Sequence, residues 1–239
     1  IHGRLGAFPE AEQCCRQVIA VNPQFAPAHM NLGNALREQG HVEEAEASYQ
    51  AALALNPDYA QAYNNLGIAQ LNTERLEKAE ASFRRALSIE PNLANIHLNL
   101  GNTLLEQGAL MAAEESTRRA LSLNPDFVSA HYNLGNVLKR QGELEEAVAS
   151  YERALELQPA FVKAMVGLAS VRNMQGDLVE ALLCYESALR LQPDNLEALA
   201  GQVGILEKQG EYQQAYDLLL PHIDQGVEAL GLVIVFAEL

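Results

Sequence analysis

Apolar residues along the chain fall at helical intervals in short blocks, as in Ala45, Tyr49, Ala52 and Leu53, and glycine or proline closes each block. Pro23, Pro57, Pro91, Pro125, Pro159 and Pro193 follow one another at a constant spacing of 34 residues. Gly40, Gly108, Gly142, Gly176 and Gly210 separate the two halves of the blocks, where one helix stops and the chain turns. The prolines stand after the second half, where a fixed φ and a missing N–H end a helix. Each block therefore reads as helix A, tight turn, helix B, proline. The frame gives a half unit over 1–25 and full units over 26–59, 60–93, 94–127, 128–161 and 162–195. A degenerate unit follows over 196–229, and 230–239 begins a further, truncated A helix.

The same columns recur from unit to unit. Leu32, Leu66, Leu100, Leu134 and Leu168 fill one, each followed by a small residue: Gly33, Gly67, Gly101, Gly135 or Ala169. Ala45, Ala79, Ala113, Ala147, Ala181 and Ala215 fill another, with Ala11 in the half unit. A bulky slot holds Tyr49, Phe83, Tyr151 and Tyr185, with Ala52, Ala86, Ala154 and Ala188 three residues beyond. One such hairpin cannot bury its own apolar face, so neighbours must stack into a continuous core.

With these columns in register across the chain, the sequence resembles the tetratricopeptide repeat family. The resemblance implies an all-α fold, an α-solenoid of helix-turn-helix repeats wound into a right-handed superhelix. It also implies a concave wall of A helices that holds peptides. Departures from the pattern are confined to a few places. The first slot, often Trp in the family, carries His29, Tyr63, His97, His131, Met165 and Leu199. In the degenerate unit Gln202 replaces the column's Leu, Pro221 is expected to interrupt helix B, and Val227 stands in the proline's place.

The A helices carry the strongest functional signal. Asn31, Asn65, Asn99 and Asn133 form one column, and Asn34, Asn102 and Asn136 form a second three residues on, with Ile68 the exception. Positions three apart share a helix face. Asn is a mediocre helix former, so its recurrence asks for a reason. A carboxamide has a donor and an acceptor that match the C=O and N–H of an extended peptide. The expected site is an Asn-lined groove, with Arg37, Lys139 and Lys163 among its cations. The competing reading is that these side chains bond to the neighbouring helix and fix the stacking. The ladder resembles that of O-linked N-acetylglucosamine transferase and of bacterial repeat–transferase fusions. A second family template is the clamp that holds the acidic C-terminus of Hsp70 and Hsp90. Its cation places here hold Met30, Asn95 and Asn99, or, one pair of units further on, Leu98 and Gly167 beside Lys163. Without cations a carboxylate has nothing to pair with.

Charge narrows the partners. With 16 Lys+Arg against 31 Asp+Glu the net charge is −15, which argues against nucleic acid and anionic membranes as ligands. The longest apolar stretch, Leu230 to Ala237, is too short to span a bilayer. Three cysteines, Cys14, Cys15 and Cys184, make no disulfide framework and favour a reducing, cytoplasmic setting. The chain opens on Ile1 rather than Met, so its N-terminus is expected to be missing. His97 and His131 are column mates, but equivalent helices in a stack lie about 10 Å apart, too far for one zinc. No nucleotide-binding, metalloprotease or nucleophile motif is present. The expectation is a non-enzymatic, cofactor-free module that binds a protein or peptide. The alternatives are the substrate-recruiting part of a larger glycosyl- or sulfotransferase, and a scaffold that self-associates through its apolar ends.

Overall fold

The computed structural model describes residues 7–223. Thirteen helices are present among them: α1 (Ala7–Val21), α2 (Ala26–Glu38), α3 (Val42–Leu55), α4 (Ala60–Leu71), α5 (Leu76–Ile89), α6 (Ala94–Glu106), α7 (Leu110–Leu123), α8 (Val128–Gln141), α9 (Leu144–Leu157), α10 (Val162–Gln175), α11 (Leu178–Leu191), α12 (Leu196–Gln209) and α13 (Tyr212–Ile223). The first helix of each pair begins at 26, 60, 94, 128, 162 or 196, on the frame set by the prolines. The truncated helix expected over 230–239, with its apolar Val233, Ile234, Val235 and Phe236, lies outside the described residues.

The chain forms two compact units, Ile1–Pro125 and Asp126–Leu239. In the first, α2 packs on α3, α4 on α5 and α6 on α7, and each pair packs on the next. In the second, α8 with α9, α10 with α11 and α12 with α13 repeat the arrangement. A solenoid of helix pairs is thus built in each unit by nearest neighbours alone.

The glycine after the Leu column has a steric cause. A Cβ at Gly33 would come within 2.5 Å of the Tyr49 ring, and one at Gly135 within 2.6 Å of Tyr151. The ring of helix B therefore lies directly on the backbone of helix A. Tyr151 also lies against Gly167 of the following A helix, where a Cβ would meet the ring at 2.6 Å. Tyr49, Phe83 and Tyr151 are fully buried, as are Ala45, Ala79, Ala147 and Ala52, Ala86, Ala154. Thr117 occupies the ring slot of the α6–α7 pair, and its hydroxyl donates to the Ala113 carbonyl of its own helix at 2.8 Å.

Turns follow the same economy. Gly40, Gly108, Gly142, Gly176 and Gly210 all have φ between 77° and 88°, the left-handed conformation that ends a helix without a Cβ clash. In the 60–93 unit the equivalent residue is Glu74, with φ 57°. The turns between pairs are closed by side chains. His29 Nε2 meets the Pro23 carbonyl at 2.9 Å and His97 Nε2 the Pro91 carbonyl at 2.9 Å. Arg85 donates to Asp58, Arg119 to Asn92 and Arg153 to Asp126, in each case 27 residues earlier. Exposed ties of this kind contribute little to stability, because solvent screens them.

The degenerate unit folds as a helix pair nonetheless. Pro221 was expected to interrupt its second helix, but it lies inside α13, which runs on to Ile223. Within that helix the proline removes one backbone hydrogen bond. Gln202, in the Leu column of α12, is buried, and its Oε1 has no hydrogen-bond partner among the described residues.

Candidate peptide-binding groove

In the first unit the structure joins several of the predicted asparagines into one line. Asn99 Nδ2 donates to Asn64 Oδ1 at 3.0 Å. Asn64 Nδ2 donates to Asn65 Oδ1 at 3.2 Å, and Asn65 Nδ2 to Asn34 Oδ1 at 2.9 Å. Tyr49 Oη donates to that same Asn34 oxygen at 2.9 Å, and Gln61 Nε2 to Asn65 Oδ1 at 3.3 Å. The line crosses α6, α4 and α2, and every link runs from an amide nitrogen to the next amide oxygen. Bonds in such a chain polarise one another.

Asn65 is buried and Asn34, Asn99 and Asn102 are half-buried, whereas Asn31 is exposed. Stacking therefore claims part of the ladder: Asn65 and Asn99 tie successive A helices together. Two ends of the line stay open. Asn34 Nδ2 and Asn99 Oδ1 have no partner among the described residues. Arg37 is half-buried, with its guanidinium on Glu38 Oε1 at 2.8 Å.

In the second unit Asn133 is buried, Asn136 and Lys139 are half-buried, and Lys163 is exposed. Tyr151 Oη donates to Asn136 Oδ1 at 2.7 Å. Tyr132 is half-buried against both Tyr151, with ring centroids 6.0 Å apart, and Phe161, at 5.3 Å. Burial pushes the Tyr49 phenol up to about 12 and the Tyr151 phenol higher still, so both stay protonated donors. Burial likewise pushes the Cys15 and Cys184 thiols up, which keeps them unreactive.

Two things escaped the pattern of residue types. Asn64, 3% exposed, is a full member of the line; its adjacency to Asn65 was the available signal. At Asn34 and Asn136 the second asparagine column has an internal reason, the buried tyrosine hydroxyl, whereas opposite Asn102 the ring slot holds Thr117. Where the ring slot is Phe83, which has no hydroxyl, the partner position is Ile68.

The tetratricopeptide repeat profile matches residues 1–47, 30–94, 98–160, 134–195 and 175–225. The chain belongs to the tetratricopeptide repeat family. Solved structures carry the same fold. YrrB, described as a tetratricopeptide repeat protein with an unusual peptide-binding site, is 26% identical with a TM-score of 0.65, over 80% of this chain and 99% of its own. The type IV pilus biogenesis factor PilW is 24% identical with a TM-score of 0.81, over 88% and 97%. PilF of Pseudomonas aeruginosa is 21% identical with a TM-score of 0.76, over 90% and 97%. No curated protein sequence matches the chain significantly. As in other tetratricopeptide repeat arrays, the working surface is one for protein or peptide binding. No helix among the described residues is long and apolar enough to cross a membrane.

Proposed function

We propose that this chain is an interaction scaffold that holds an extended polypeptide segment along its A helices, gripping main chain through asparagine side chains. One observation carries the reading. Asn34 and Asn136 each have the carboxamide oxygen fixed by a buried tyrosine hydroxyl, while the –NH2 has no partner among the described residues. A donor held in place by its own oxygen loses little freedom on meeting a peptide carbonyl. Asn31, exposed one turn away, and the free oxygen of Asn99 extend the row. Asn102 and Arg37 stand beside that row in the first unit, and in the second unit Asn133, Lys139 and Lys163 accompany Asn136. That YrrB is described by its peptide-binding site supports the same reading.

The test is Asn34→Asp, which keeps an acceptor oxygen for Tyr49 and Asn65 and removes the donor. Segments would first be selected from a random-peptide display library on the wild-type protein. The variant should keep the wild-type melting temperature and bind those segments several-fold more weakly. Unchanged affinity would remove Asn34 from the site.

A further inference from the structure

Between the α4–α5 turn and α6 lies a cavity of about 510 Å³, lined by Leu71, Glu74, Leu76, Asn102 and Glu106. Its floor is two half-buried leucines, and its walls carry two carboxylates and a carboxamide. Neither Glu74 nor Glu106 has an ion-pair partner among the described residues. One repeat earlier the corresponding residues are Arg37, Gly40, Val42, Ile68 and Asn72, which offer a cation and no carboxylate. The feature is therefore particular to this pair of repeats rather than a property of the fold.

Charge and shape together specify an occupant. A long cationic side chain lays its methylene stem on apolar surface and keeps its head at a polar rim. Leu71 and Leu76 supply the surface, and Glu74 and Glu106 supply the rim. The chain's net charge of −15 adds a field that draws cationic segments in. The cavity shares Asn102 with the asparagine face, so a segment lying along the A helices passes its mouth.

We propose that this cavity takes the side chain of a lysine or arginine from the bound segment, and so makes the groove selective for basic sequences. The inference rests on the peptide-binding reading above. It is tested by panning the random-peptide display library on the intact chain and on the double variant Glu74→Gly, Glu106→Gln. Glu74→Gly places glycine where the sibling turns have it, so the variant keeps its fold. Wild-type protein should enrich lysine or arginine several-fold over the input at one fixed position of the selected segments. The variant should lose that enrichment and keep the rest of the selected pattern.

A synthetic peptide from the selection, with its arginine replaced by neutral, near-isosteric citrulline, should bind the wild type about ten-fold more weakly. The variant should bind both peptides alike. If the wild type selects segments with no basic position, or the variant retains it, the cavity is not the site although the groove stands. If nothing is selected by either protein, the groove reading and this one fall together.

Discussion

Tyr151 donates its phenolic hydrogen to Asn136 Oδ1 at 2.7 Å, and Tyr49 does the same to Asn34 at 2.9 Å. In each case a side chain from helix B, fully buried, reaches across its own hairpin to a helix A residue 15 positions earlier. The pair is a unit, and the 60–93 repeat replaces both members at once with Phe83 and Ile68. Removing only the asparagine strands a buried hydroxyl, which costs roughly 1–3 kcal/mol. Asn34→Ile alone should therefore lower stability by that amount, and Tyr49→Phe alone by about 1 kcal/mol. The double variant, which copies the neighbouring repeat, should recover part of the loss. A double-mutant cycle by urea denaturation reads the coupling, and strict additivity would refute it.

The same phenols give a pH dependence. Their folded pKa values lie above the ordinary tyrosine value, near 12 for Tyr49, because burial disfavours the anion. Above pH ~10 the unfolded chain releases protons that the folded chain retains, so stability falls as pH rises toward the folded value. Below pH ~10 the contribution is whole. Denaturation midpoints measured between pH 8 and 11.5 should fall less steeply in Tyr49→Phe than in the wild type.

Glu74 holds a left-handed φ of 57° where five sibling turns use glycine. A residue with a Cβ is strained there by about 1–2 kcal/mol, and glycine gives back part of that through the freer unfolded chain. Glu74→Gly should raise stability by a net ~0.5–1 kcal/mol, visible as a higher melting temperature. An unchanged or lower value would show that the turn is not strained.

Gln202 is buried, with an oxygen that has no partner among the described residues, in a column otherwise filled by leucine. Gln202→Leu removes an unpaired polar atom at little change of volume. It should stabilise the second unit by about 1–3 kcal/mol, read by hydrogen exchange of α12 and α13.

Gly135 and Gly167 enclose one tyrosine ring. Alanine at either forces the ring aside and should cost about 1–3 kcal/mol. Alanine at Gly204, where an added Cβ meets nothing within 4 Å, should instead be neutral or stabilising, since alanine is the better helix former. Paired melts of the three variants check the contrast.

The helices and their frame were legible in the sequence because proline and glycine mark backbone limits, and those limits do not depend on tertiary context. Left-handed glycines appeared at all five expected turns. The candidate site was legible only in part. The asparagine columns pointed to the A-helix face, but residue type alone did not divide a carboxamide's oxygen from its nitrogen. That division depends on where Tyr49 and Asn65 end up relative to Asn34, a matter of packing between residues 15 and 31 positions apart. Pro221 departs from its expectation for a local reason: inside α13 it forfeits one backbone hydrogen bond and the helix accommodates it.

The amide line from Asn99 through Asn64 and Asn65 to Asn34 has a direction, since nitrogen points to oxygen at every step. Its α2 end presents hydrogen and its α6 end presents a lone pair. A polypeptide is also a directed object, with carbonyls and amide hydrogens in fixed order. A guest laid along α2, α4 and α6 therefore does not meet the same host when its N- and C-termini are exchanged. On the proposed peptide-binding reading, such a host favours one head-to-tail sense of its guest before any side chain of the guest is read.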